Sequence, residues 1–151
     1  LTNCNGCIST GTGPDILSSI YGKNVLFLNF IPLFSLRSDL KSITYPKKLI
    51  WEKDNIEFTI DEYISNNRMH DYKYHADGIK IIDMTEYEIL EVTKEFYLRN
   101  MNKFDEKIKY KKKEKYFWKK ILLENRNHNC KVHHLIHPNS KISTTWLKKF
   151  R

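Results

Sequence analysis

The sequence predicts an α/β fold, a parallel sheet with flanking helices, on three observations. Cys7-Ile-Ser-Thr-Gly-Thr-Gly-Pro-Asp15 reads as a short apolar strand running into a loop of small residues. Ile16 to Gly22 then reads as a short helix, and Val25-Leu-Phe-Leu-Asn-Phe30 as a strand without polar alternation, the pattern of a parallel strand buried on both faces. Further on, Ile79-Lys-Ile-Ile-Asp83 is a strand followed at once by a helix start. Strand, glycine loop, helix and strand form the unit with which α/β proteins hold phosphate-bearing ligands at a strand's carboxyl end.

Each element has a local reason. Gly11 and Gly13 end the first strand, predicted over 5–9. Pro14 suits the first turn of a helix, where no intrahelical donor is needed, and Asp15 complements the positive helix end. Ile16, Leu17 and Ile20 supply an apolar helical face, and Gly22 suits the residue just past the helix. Residues 31–47 read as a long loop bracketed by Pro32 and Pro46, and loops of that length are more often functional than idle. Lys48 to Trp51 reads as a short extended segment. Thr59 with Glu62 is a capping box opening a brief helix to about Ser65. Residues 66–77 read as polar chain ended by Gly78. Thr85 with Glu88 is a second capping box, and it starts a helix whose Ile89, Val92 and Phe96 share one face. Residues 103–115 are lysine-rich without a clean apolar period, so the last long helix is expected from Glu114, with Phe117/Ile121 and Trp118/Leu122 four residues apart. Residues 125–141 read as a histidine-containing loop, and Ser143 to Phe150 as a helical turn or two. No internal repeat is visible.

The bulk properties narrow the class. The 151 residues suit one domain, divided here into 1–102 as the sheet-forming part and 103–151 as a basic helical extension packed on it. At 40% hydrophobic and 29% charged, the chain can build a packed core and is not a disordered segment. The net charge of +8 favours anionic partners. The first residue is Leu1 and the first strand begins almost at once, which points to the carboxyl-terminal part of a longer chain. No basic segment followed by an apolar run precedes that strand, and the apolar run 25–34 is too short to span a bilayer, so a cytoplasmic location is expected. The three cysteines, Cys4, Cys7 and Cys130, fit a reducing compartment rather than a disulfide scaffold.

Several motifs bear on chemistry. In the Ser9–Asp15 loop, the glycines let backbone amides approach a ligand, and Ser9, Thr10 and Thr12 add hydroxyls. This combination suits a diphosphate or a sugar hydroxyl, and equally a tight turn without a ligand. It is not a Walker loop, because Leu17 stands where the glycine before Gly22-Lys23 is required, and Ile16 replaces the third glycine of the dinucleotide fingerprint. Asn29, at a strand end, is placed to bond a ribose or sugar hydroxyl, or simply to cap a loop. Cys4-x-x-Cys7 and Cys130-x-x-His133, with His134 and His137, have zinc-like spacing, but the two halves would have to meet across the fold and Cys7 falls inside the strand pattern. No metal and no cofactor are expected. His70, His75 and His128 read as loop residues. Segment 103–120 holds nine lysines against Asp105, Glu106 and Glu114, interleaved with Phe104, Tyr110, Tyr116, Phe117 and Trp118. Such a segment serves an anionic membrane surface or a single-stranded nucleic acid, or is a solvated helix face with its aromatics turned inward.

Taken in succession, Cys7-Ile-Ser-Thr-Gly-Thr-Gly-Pro-Asp15, Lys23-Asn-Val-Leu-Phe-Leu-Asn29, Pro46-Lys-Lys-Leu-Ile-Trp51, Gly78-Ile-Lys-Ile-Ile-Asp83, the Thr85–Glu88 helix start and Asn139-Ser-Lys-Ile-Ser-Thr-Thr-Trp-Leu-Lys148 resemble a family of bacterial glycosyltransferases associated with surface polysaccharide biosynthesis. That family is similar to two-domain glycosyltransferases of the GT-B type, built from two Rossmann-like halves. The resemblance implies a partial Rossmann-like domain, the carboxyl-terminal, donor-binding half. It implies a nucleotide-sugar donor and a glycan or lipid-linked acceptor, with no metal. Ser9, Thr10, Gly11, Thr12 and Gly13 would be donor contacts, with Asn29 a further one and Asp15 holding a sugar hydroxyl. The catalytic base would lie in the amino-terminal half, so this segment alone would bind donor weakly and catalyse nothing. The implied chemistry is electrostatic, with amide donors stabilising the charge that develops on the departing diphosphate. A peripheral position at the inner membrane face, through residues 103–120, would accord with a lipid-linked acceptor.

Two other readings compete. A methyltransferase using S-adenosylmethionine also begins with strand, Gly-x-Gly loop and helix, but it expects an acidic residue where Asn29 stands and a glycine where Asp15 stands. A basic nucleic-acid or membrane-surface module would use residues 103–120, with binding that weakens steeply with salt. Nucleic acid is not the expected partner.

Overall fold

The computed structural model describes residues 3–33, 36, 41–66, 71–127 and 140–150. Its elements are β1 (Cys7–Ser9), α1 (Asp15–Ile20), β2 (Val25–Phe30), β3 (Ser42–Pro46), β4 (Lys48–Trp51), β5 (Ile56–Glu57), α2 (Ile60–Ser65), α3 (Asp71–Ala76), β6 (Ile79–Ile82), α4 (Glu86–Asn100), α5 (Ile108–Asn127), β7 (Lys141–Ile142) and α6 (Thr144–Leu147). The chain is α/β: a four-stranded sheet in the order β1-β2-β3-β7, every pairing parallel and flanked by helices, is compatible with a Rossmann-like fold.

β2 sits inside this sheet and forms the centre of the core. Val25, Leu26 and Phe27 are fully buried, as their unbroken apolar run requires. β3 lies in the stretch read as a loop from sequence, and its composition explains the difference. Ser-Ile-Thr-Tyr-Pro looks like a turn, but all five residues are buried. Burial is offset where a hydroxyl finds a partner: Ser42 Oγ shares a hydrogen bond with Ser140 Oγ at 2.8 Å, and Tyr45 Oη donates to Glu88. β7 was also read as loop, and it takes the outer position beside β3.

Immediately after Pro46 the chain leaves the parallel sheet. β4 pairs antiparallel with β5 and with β6, giving a second sheet in the order β5-β4-β6. β6 forms where the sequence predicts a strand, and its partner is β4, with Leu49 opposite Ile81 and Ile50 opposite Lys80. Both predicted capping boxes form, Thr59 with Glu62 and Thr85 with Glu88. α3 lies in the segment read as polar loop, where the buried Tyr74 anchors it. α5 begins at Ile108, before the expected Glu114, because its first turns are solvated and need no apolar period. Its buried face starts at Glu114 and continues through Phe117 and Ile121. Trp146 of α6 is fully buried, edge-on to Tyr63, Phe117 and Phe150. The aromatic cluster around it joins α2, α5 and the carboxyl-terminal residues.

Candidate functional site

The Ser9–Asp15 turn follows the carboxyl end of β1 as predicted, and Ser9, Thr10, Thr12, Asp15 and Ser18 line a hollow of about 450 Å³. The turn is closed on itself. Gly11 N–H donates to Ser9 Oγ at 3.0 Å, and Gly13 N–H donates to Asp15 Oδ1 at 2.8 Å. Ile16 and Leu17 N–H groups go to the carbonyls of Gly13 and Pro14. The Gly11, Gly13, Ile16 and Leu17 amides are therefore engaged within the loop. Asp15 is only 4% exposed, and its carboxylate opposes an anion at that point. No lysine or arginine lines the hollow. Its polar groups are hydroxyls and one carboxylate, set among the apolar Ile8, Pro14 and Leu17, and those polar groups suit sugar hydroxyls better than phosphate. Ser18 Oγ, behind this surface, is buried without a hydrogen-bond partner among the described residues. The glycines are required by the backbone: φ is +80° at Gly11 and +98° at Gly13, in the left-handed region that disfavours side chains. A Cβ at Gly11 would also meet the Phe30 ring at 3.2 Å, whereas one at Gly13 would meet open space.

Asn29 does not line that hollow. It sits at an irregularity in β2 with φ of 51°, a conformation asparagine tolerates better than most residues. Its Oδ1 accepts from Met84 N–H at 2.7 Å. The side chain thereby ties the end of β2 to the turn before α4, the loop-capping role among those open to it.

A second cluster lies at the carboxyl end of β3 and brings Tyr45 and Lys149, which the sequence does not single out, to the Thr85–Glu88 capping box. Tyr45 Oη donates to Glu88 Oε1 at 2.9 Å, and Lys149 Nζ forms an ion pair with the same oxygen. Lys149 Nζ also lies 5.2 Å from the Tyr45 ring centroid, in cation–π range. The other Glu88 oxygen completes the capping box, accepting from Thr85 N–H at 2.8 Å and Thr85 Oγ1 at 3.0 Å. Burial opposes ionisation of Glu88, but Lys149, the Thr85 amide and Tyr45 outweigh it and hold the carboxyl down at about 2. Burial, and then the bond to Glu88, push the Tyr45 phenol well above its usual range. A carboxylate so strongly ionised is a poor base, so its effect is to fix the cation Lys149. The Thr85/Glu88 spacing was visible in the sequence, but nothing local announces that this cap also receives Tyr45 and Lys149.

Beside that cluster, a cavity of about 620 Å³ opens between the β5–α2 segment, α5 and the residues after α6. Phe58, Ile60 and Phe150 give it apolar walls, while Lys112, Lys113 and Lys149 give it cations. Elsewhere on 103–120 the aromatics mostly turn toward the protein. Phe117 is fully buried, Trp118 is half-buried, and Arg99 lies 4.2 Å above the Phe104 ring.

One densely bonded polar group is structural. Glu95 of α4 is buried and accepts from Ser143 Oγ, Thr144 N–H, Thr145 N–H and Thr145 Oγ1, each at 2.9 Å, and from Arg99 Nε at 3.0 Å. Arg99 extends to Glu106 at 2.7 Å and to Thr144 Oγ1 at 2.9 Å. Burial works against the Arg99 charge, and Glu106 and Glu95 more than offset it, raising its pKa. Every acceptor at the start of α6 is thus supplied by the protein itself.

Among the described residues, no three His, Cys, Asp or Glu side chains gather as a metal site, and no helix is long and apolar enough to cross a membrane. Cys130, His133, His134 and His137 of the zinc-like pattern, with His70 and His128, lie outside the described residues. The architecture defines an α/β protein with a parallel sheet. No protein family, curated protein or solved structure matches the chain.

Proposed function

We propose that this chain is the nucleotide-sugar-binding part of a GT-B-type glycosyltransferase, with the sugar end of the donor at Ser9, Thr10, Thr12 and Asp15. The observation that supports this most directly is the β1–α1–β2 unit. Two parallel strands are joined through a Gly-x-Gly turn whose hollow, walled by Ile8, Pro14 and Leu17, carries hydroxyls and one buried carboxylate at the carboxyl end of the sheet, the place where open α/β sheets take ligands. The ordered resemblance of the sequence segments supports the same reading, and supplies the glycan or lipid-linked acceptor. Gly11 and Gly13 shape this turn rather than donate to phosphate, and Asn29 steadies the strand end behind it. The alternative S-adenosylmethionine reading is weakened at Asn29, whose side-chain oxygen is already bonded to Met84 N–H.

Amide chemical-shift mapping on the 151-residue chain tests the proposal. A panel of nucleotide sugars is expected to move Thr10, Thr12 and Ser18 amides with weak, saturable affinity, and Thr12→Ala is expected to weaken that response. Movement of the same amides by S-adenosylmethionine alone, or by no nucleotide sugar in the panel, would overturn it.

A further inference from the structure

Charge accounting around the 620 Å³ cavity leaves a surplus. Its wall carries two acids and three lysines. Both acids are already neutralised by cations from outside the wall: Glu57 pairs with Lys48 at 3.5 Å, and Asp61 pairs with Lys120 at 3.0 Å while also accepting the Tyr116 hydroxyl at 2.7 Å. One lysine, Lys149, is balanced by Glu88. The other two are not balanced by carboxylates among the described residues. Lys113 Nζ donates to the backbone carbonyls of Leu147 and Phe150, which hold it in place without cancelling its charge. Lys112 is exposed and has no carboxylate partner among the described residues. Lys113, held by those carbonyls, and the exposed Lys112 thus bring two positive charges to a space walled by Phe58, Ile60 and Phe150, of the size that accommodates a small organic ligand.

We propose that this cavity binds a phosphate monoester carried on an apolar or aromatic body, with the phosphate against Lys112 and Lys113 and the body against Phe58, Ile60 and Phe150. The match is in charge and in surface. A phosphate monoester near neutral pH carries a charge of about −1.5 to −2, equal and opposite to the surplus. An ester body without phosphate would leave both lysines unmatched, and inorganic phosphate would leave the apolar wall wet. Two further exposed lysines of α5, Lys111 and Lys115, lie one helical turn apart beside Lys112, and their field draws anions toward the mouth. This site involves none of the residues of the Ser9–Asp15 turn, and it stands whether or not the glycosyltransferase reading holds.

The test is calorimetric titration of the 151-residue chain at fixed ionic strength with two probes, adenosine 5′-monophosphate and decyl phosphate, against adenosine, decanol and inorganic phosphate as controls. At least one phosphorylated probe is expected to bind tenfold or more tightly than both its dephosphorylated counterpart and inorganic phosphate. Which probe succeeds identifies the body as nucleoside or lipid. Lys112→Glu is expected to weaken that binding by tenfold or more. Lys119→Glu, the same charge change on the same helix beyond the cavity, is expected to leave it within about twofold. Both substitutions are at exposed positions, and circular dichroism checks that the helix content is retained. Equal losses in the two variants would mean non-specific attraction to a basic helix and would overturn the site, as would indifference of both probes to their phosphate.

Discussion

The two edges of the parallel sheet are built in opposite ways. At one edge, β1 and α1 are thinly covered: Ile8, Ile16, Leu17 and Tyr21 are about half exposed or more and Ile20 is 71% exposed. At the other edge, β7 has only two residues, but Ile142, Ser143, Trp146 and Leu147 are completely buried. The bare edge carries the glycine motif that is conspicuous in the sequence. The sealed edge has no local motif, and is secured by carboxylates arriving from distant helices. Glu95 ties α4 to the start of α6. Glu114 of α5 accepts the outward Ile142 N–H at 3.3 Å and so covers the donor that an edge strand would otherwise expose. Local sequence signals therefore mark where the backbone turns, while the strongest polar packing is set by long-range pairs.

The sharpest way to break this comparison is to remove the tie at the sealed edge. Glu95→Ala leaves Arg99 buried beside a lost partner and strips the acceptor from four donors of residues 143–145. Breaking a buried, hydrogen-bonded ion pair costs about 3–5 kcal/mol, and urea unfolding is expected to show a loss of that size. A loss below about 1 kcal/mol would mean that aromatic packing around Trp146, not the carboxylate, holds this edge. At the bare edge the corresponding change is Asp15→Ala, which removes one acceptor from Gly13 N–H. One lost bond to a buried charged group costs about 1–3 kcal/mol. The ranking of the two variants measured under identical conditions is the result that matters, and a reversed order would refute the contrast.

Between the edges, Glu88 supplies a pH-dependent test. Its carboxyl lies at about 2 in the folded chain, below the ordinary 4.5. A depressed carboxyl contributes stability that is fully present above the unfolded value and is lost as pH falls through the folded one. Stability should therefore decline from pH 4.5 toward pH 2 through this group, and Glu88→Gln should flatten that part of the acid limb while lowering stability at neutral pH. Glu114 acts with the opposite sign. Burial, only partly countered by Lys141, raises its carboxyl, so its ionisation works against folding as pH rises. An acid limb unchanged by Glu88→Gln would show that the ion pair with Lys149 contributes nothing to folding.

What the sequence discloses follows the same division. The span of β2 was legible at both ends because an unbroken apolar run has few alternatives, and both capping boxes were legible because Thr-x-x-Glu acts within one turn. Gly11 and Gly13 were legible as a turn, but not the direction of its amides, since Ser9 and Asp15 intercept them. β3 is hidden because Ser42 and Thr44 look like loop residues until Ser42 meets Ser140 and the Thr44 carbonyl accepts the Ser143 N–H. Tyr45, Glu88 and Lys149, which meet across 43 residues or more of chain, leave no local spacing to read. The cavity beside them was equally invisible, although the lysines along its rim were counted.

The smallest expected effect is at the surface of α1. Ile20 was read as part of an apolar face, and in the structure that face is open to solvent. An exposed side chain that makes little contact contributes little, so Ile20→Glu is expected to change unfolding free energy by no more than about 0.5 kcal/mol. The same measurement at several protein concentrations adds a second readout. If the substitution destabilises the chain by more than about 1 kcal/mol, in a concentration-dependent way, then the face is covered by another copy in solution. The bare edge would then owe its exposure to the isolated chain, and the difference between the two edges would be one of assembly instead of folding.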